Sequence, residues 1–176
     1  MKLHNERGQV VVEYAIVFPI QLLITLAIIQ LAEIFVAKQV VSYAAFCGAR
    51  AQIVGENPAD AACLPLAAVA GGAGAESEPD ITLPGWGELR GSGAARAKTA
   101  VEVYNETIGS QTVIRCDVTH SYELSVPFGN HIASLFVTEN NADNAWGAPH
   151  IKITGTSSLV KPWSDAGEIG EPASAN

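Results

Sequence analysis

The sequence predicts an α+β protein in which a long N-terminal membrane-spanning helix extends into a small exterior α+β module with a short antiparallel sheet. Three observations predict it. Residues 14–32 carry no formal charge and lie between Glu13 and Glu33, close to the roughly 20 residues that cross a hydrocarbon core of about 30 Å. Apolar residues then recur at 40, 41, 44 and 45, the spacing of one helix face. Beyond Gly109 the period falls to two in short β-branched runs, the pattern of half-buried strands.

The membrane window is 10–36. A secretory signal peptide also starts with basic residues and an apolar run, but its apolar core is only about 7–15 residues long, and this run is longer. Continued to residue 54, the helix would be on the order of 65 Å long at about 1.5 Å per residue. Pro19 lies inside the window. It has no N–H and disturbs the preceding turn, which makes it either a helix kink that lets packed helices bend or a tolerated membrane proline. Gln30 and Glu33 sit at helical spacing near the outer boundary; they mark the interface, with a helix-pairing contact as the alternative.

After Gly55 the sequence becomes rich in turn formers, from Glu56-Asn57-Pro58 through an Ala/Gly tract at 67–75 to Gly91 and Gly93, and reads as loop-dominated. Helical spacing returns over 93–107, with Ala94, Ala97, Val101 and Tyr104 on one side and Lys98 four residues before Glu102; a second, shorter helix is expected there. Strands are expected at 112–119, 121–127 and 151–160, the last with Ile151 and Ile153 on one face and Lys152 and Thr154 on the other. Residues 132–137 form a mixed apolar stretch and 139–144 a polar turn cluster. The tail 164–176 lacks apolar periodicity and is expected to be mobile.

Lys2 and Arg7 precede the span, and the positive-inside rule keeps that end in the cytoplasm with the remainder outside. The expected location is thus the inner (cytoplasmic) membrane, crossed once. A net charge of −8 argues against nucleic acid as a partner and against charge-driven binding to anionic headgroups. Cys47, Cys63 and Cys116 would face an oxidising compartment. A Cys63–Cys116 disulfide with Cys47 free is the simplest pairing of an odd number, and three free or buried thiols is the alternative.

No enzyme constellation emerges. His4, His120, His131 and His150 are scattered, and Cys116 and His120 supply one thiol and one imidazole without a second ligand pair, so no catalytic residue, metal or cofactor is expected. Gly71-Gly72-Ala73-Gly74 lacks the Lys-Ser/Thr ending of a phosphate loop.

Glu13 is the residue that calls for a function. A carboxylate costs roughly 2.5–3.5 kcal/mol at the centre of a span and less toward its edge, so such acids have partners. Gly8 stands five residues before it, Tyr14 follows it, Phe18-Pro19 comes next, and Ala44-Ala45-Phe46-Cys47-Gly48-Ala49-Arg50 follows the span. With the alternating C-terminal strands, these features resemble the type IV filament superfamily, and within it the TadE-like minor pilins of Tad (tight adherence) systems.

That resemblance implies a prepilin leader at 1–8, cut between Gly8 and Gln9 by a membrane aspartic prepilin peptidase. It implies a membrane-spanning and extended helix at 9–54, an exterior module at 55–163 and a tail at 164–176. The mature chain would join a pilus or its assembly base, with other pilin subunits packed through their N-terminal helices and the pilus assembly platform as partners. Major Tad pilins are much shorter, so the long exterior implies a minor pilin or pseudopilin serving pilus biogenesis, adhesion or secretion. In physical terms, Gly8 lacks a Cβ and lets the backbone extend into a protease cleft. The amine released on Gln9 is largely protonated at neutral pH. Glu13, of the same or a neighbouring subunit, would neutralise it and, with Tyr14 beside it, set the axial register of the helices. The alternative is an uncleaved single-pass anchor carrying a periplasmic binding module as an envelope assembly factor.

Overall fold

Helix α1 runs from Glu6 to Val54, 49 residues through Pro19 without a break, or about 74 Å at 1.5 Å per residue. The computed structural model describes residues 6–71, 78–85, 87–108, 111–124, 142–143 and 150–162. The expectations for Lys2 and His4, the Gly72–Gly74 part of the glycine loop, residues 125–127 of the second strand, the 132–137 stretch, His131, most of the 139–144 turn cluster and the 164–176 tail lie outside these residues.

The lower part of α1 is apolar on every side and exposed, with Val12, Ile16, Ile20 and Ile24 each more than half accessible. A helix that is hydrophobic all round needs an apolar surround. Its upper part is different: Ala37, Val41, Ala44, Ala45 and Ala49 are fully buried, three or four residues apart and mostly small, so that the helix backbone can lie close to whatever covers it.

The cover comes from the rest of the chain. In order it contains α2 (Pro58–Leu66), β1 (Ile81–Leu83), β2 (Gly87–Leu89), α3 (Ser92–Ala97), β3 (Thr99–Ile108), β4 (Gln111–Glu123), β5 (Ala142–Asp143) and β6 (His150–Val160). β1 and β2 form a two-stranded ladder, and the larger sheet has the order β3-β4-β6-β5 with every neighbouring pair antiparallel. The register sets Val118 opposite Gly155, His120 opposite Ile153 and Tyr122 opposite Ile151, so side chains two residues apart on each strand share the face turned to α1. Cys116, Val118, Tyr122, Ile151 and Ile153 meet the alanines of α1 and Ala62, Cys63 and Leu66 of α2 in one core.

Two glycines let the layers close. A Cβ on Gly155 would stand 2.8 Å from the Val41 carbonyl oxygen and 2.9 Å from the Ser42 nitrogen, so β6 touches the α1 backbone itself. On the helix side, a Cβ on Gly48 would stand 2.8 Å from Cys116 Sγ. A glycine in a strand interior often marks such a close approach of another backbone.

The expected helix over 93–107 is corrected: α3 ends at Ala97 and β3 begins at Thr99. Thr99, Val101 and Val103 are half-buried while Ala100, Glu102 and Tyr104 are exposed, a period of two that pairs with β4 in ten consecutive positions. β-branched residues at alternate positions fit a pleated surface better than a helix. Lys98 does not pair with Glu102 along a helix; its Nζ donates to the Ala70 carbonyl at 2.5 Å and meets Glu123 Oε2 at 3.2 Å.

The region after Gly55 is also more ordered than a loop. Asn57 Oδ1 accepts from the Ala59 N–H at 3.0 Å and Pro58 opens the first turn of α2, so the residues read as a turn are a helix start. Ser92 Oγ accepts from Ile81 N–H at 2.6 Å and donates to Leu89 O at 2.6 Å, and Asp80 Oδ1 accepts from Gly93 N–H at 2.8 Å. These bonds join the β1–β2 ladder to the start of α3, and an Arg96–Asp60 ion pair ties α3 to α2.

The two strands expected at 112–119 and 121–127 share one continuous strand, β4, which ends at Glu123, before the expected end of the second. His120 does not interrupt it, because the imidazole occupies a core position in phase with Val118 and Tyr122 and is fully buried. Thr99 Oγ1 gives its proton to Ala95 O at 2.5 Å and lies 2.8 Å from His120 Nδ1, so Nδ1–H is the donor between them. The third expected strand, 151–160, is β6, with Ile151 and Ile153 buried and Lys152 and Thr154 exposed as the alternation required.

The Cys63–Cys116 disulfide is not formed; all three cysteines are free thiols. Cys63 and Cys116 are both buried in the core, Cys116 against Gly48. Burial pushes the Cys63 thiol up to about 11, and burial likewise raises that of Cys116, so both act as small hydrophobes.

Candidate assembly and membrane-contact site

The lower half of α1 places the residues singled out in the sequence. Glu6, Arg7, Gly8 and Gln9 lie in its first turn, where the first four N–H groups of any helix lack an intrahelical partner. Glu13 follows Gln9 by four residues, one turn further on, and is exposed. From Glu13 to Glu33 the rise is about 30 Å, matching a hydrocarbon core. Among the described residues one helix, Val10–Val54, is long and apolar enough to cross a membrane.

The faces of α1 differ. Tyr14 stacks on Phe18 with ring centroids 5.7 Å apart, and Thr25 Oγ1 donates to the Gln21 carbonyl at 2.9 Å. At about 3.6 residues per turn, Tyr14, Phe18, Gln21 and Thr25 form one stripe. That stripe lies roughly opposite the one the module covers, which begins at the half-buried Leu26 and Ala27 and continues through Gln30, Ile34, Ala37 and Val41. Gln30 is only 1 % exposed, so its amide is turned into its own chain, and a helix-pairing contact through Gln30 is excluded in this arrangement. Pro19 lies on the exposed part, and α1 continues past it.

A model of the family described as TadE-like protein matches residues 8–50. This segment is similar to that family. The match opens on Gly8 and closes on Arg50, so it takes in the apolar span and the alanine-rich turns that pack against the sheet, about a quarter of the chain. No curated protein and no solved structure matches the chain.

Within the matched segment, the structure adds roles that the sequence reading did not assign. Ala44, Ala45, Gly48 and Ala49 are small because they face the sheet and α2. Gly155 answers them from β6; an isolated glycine between alternating residues was the available signal. Lys98, with its side chain fully buried, and Glu123 form an ion pair at 3.2 Å that brackets the Ala70 end of the α2 segment; nothing in their spacing announced it. No group of three or more His, Cys, Asp or Glu side chains able to hold a metal occurs among the described residues.

Proposed function

We propose that the protein is a minor pilin or pseudopilin of a Tad-type pilus, cut after Gly8 and assembled through the lower half of α1, with its sheet module outside the cytoplasmic membrane. The observation that carries this reading is the division of α1. Its lower half exposes apolar side chains on all sides while its upper half is locked into the module, and the family match at 8–50 spans both. A helix so exposed must be solvated by lipid or by other helices.

Cleavage between Gly8 and Gln9 removes most of the first turn and leaves an ammonium group one turn below Glu13. Two charges that are each costly at the membrane edge then form a pair, within one subunit or between neighbours. Because pairing between neighbours is satisfied only at one axial offset, it also selects the register in which helices stack. The stripe of Tyr14, Phe18, Gln21 and Thr25, turned away from the module, is the face on which a neighbouring helix can pack without meeting this subunit's sheet. Adhesion or secretion would be tasks of the assembled structure through the module's outer surface.

Glu13→Gln tests the reading. A subunit should still reach the membrane but lose incorporation into pili, whereas an uncleaved anchor serving as an envelope assembly factor should tolerate the change. Normal piliation by the Glu13→Gln variant would overturn the proposal.

A further inference from the structure

A cavity of about 680 Å³ opens beside α1 where the helix leaves the apolar window. Its walls are Ile29, Ala32 and Val36 of α1, Ala68 and Val69 just after α2, and Tyr122 of β4. Its size is that of a ligand site and its lining is mostly apolar. Two acidic residues, Glu33 and Glu123, also line it. Both carboxylates, behind burial as the main cause, hold the Tyr122 phenol above its ordinary range.

Depth decides what fills it. Measured along α1, Ile29 lies about 6 Å on the membrane side of Glu33, so the cavity reaches below the plane, at Glu33, where the apolar core of a bilayer would end. Ile29 and Val36 are about half exposed and are at the same time cavity walls. The opening is therefore continuous with the apolar surface that α1 presents to its surroundings.

We propose that this cavity is a binding site for one acyl chain of a membrane phospholipid, entering sideways from the outer leaflet and lying between α1 and the Ala68–Val69 segment against the Tyr122 ring. The site rests on α1 spanning the membrane, and goes beyond it: the module does not merely stand above the bilayer but takes a lipid from it. Apolar walls at this depth favour a hydrocarbon chain over water.

The full chain is reconstituted in vesicles of phosphatidylethanolamine and phosphatidylglycerol containing phosphatidylethanolamine with a diazirine on its acyl chain, then irradiated, and labelled residues are located by mass spectrometry. Label is expected on Val69 and Tyr122 of the module as well as on Ile24 and Ile28 of α1. Filling the cavity from either side, by Val69→Trp or Ala32→Trp, should abolish label on Tyr122 and leave label on Ile24. Label confined to α1, or label on Tyr122 that survives both substitutions, overturns the site while leaving the span intact. A photo-crosslinker placed at position 69 that joins two protein chains instead of a lipid assigns the cavity to a second copy and equally overturns it. Absence of label from α1 as well overturns the span and the site together.

Discussion

Gly155 of β6 lies against the α1 backbone at Val41, so close that a methyl group on it would stand 2.8 Å from the Val41 carbonyl oxygen. This contact fixes the distance between helix and sheet, and through it the direction in which the apolar lower half of α1 leaves the module. Overpacking a site of this kind costs about 1–3 kcal/mol. Gly155→Ala should lower the thermal midpoint of the detergent-solubilised protein, followed by near-ultraviolet circular dichroism, whereas Thr154→Ala on the exposed face of the same strand should leave it nearly unchanged.

Lys98 supplies a second test of the core. Its ammonium group is buried between the Ala70 carbonyl and Glu123, and removal of one partner of a buried pair leaves the other with an uncompensated desolvation cost. Glu123→Gln leaves the fully buried ammonium without its counter-charge and should destabilise the module by about 3 kcal/mol. Lys98→Met removes the buried charge itself and leaves a carboxylate that is partly exposed, so it should cost less. Equal losses in urea unfolding would contradict this assignment.

His120 makes stability depend on pH. Burial, with Lys98 and His150 nearby, holds the imidazole down at about 4, below its ordinary 6.5. The unfolded chain therefore takes up the proton first as pH falls, so the folded state keeps its full stability above about 6.5 and loses it progressively down to about 4. The loss attributable to this group is on the order of 3 kcal/mol. Urea midpoints between pH 8 and 4 should show this slope, and His120→Gln should flatten it. A midpoint that rises on acidification would refute the assignment.

The thiols should divide by burial. Cys63 and Cys116 are buried and Cys47 is partly exposed, and only an accessible thiolate reacts. Iodoacetamide applied to the folded protein should modify Cys47 and spare the other two until urea is added. Protection of Cys63 and Cys116 that requires a reductant to relieve would instead restore the disulfide.

The sequence showed the long helix and β6 because each has one dominant period. Residues 14–32 are without a charge and mostly apolar, and 151–154 alternate cleanly. It misled at 99–107, where Val101 and Tyr104 satisfy a helical spacing while Thr99, Val101 and Val103 satisfy a strand; the pairing of Val101 with Val118 and Val103 with Cys116 decided the matter, and that partner lies beyond any local window. Asn57-Pro58 carried a helix-start signal that its turn-forming composition masked. The candidate site was legible to the extent that Gly8, Glu13 and the uncharged stretch fall in one local window and on one helix. The cavity at Ile29 and Tyr122 was not, because it joins residues from three elements far apart in sequence.

The central claim is that a new amino terminus is created on Gln9 to face Glu13. The direct measurement is the N-terminal residue of the protein recovered from membranes of a strain with an active prepilin peptidase, read by mass spectrometry. The account predicts a chain beginning at Gln9, with Gly8→Ala accumulating uncut. Recovery of the chain with residues 1–8 still attached would contradict it.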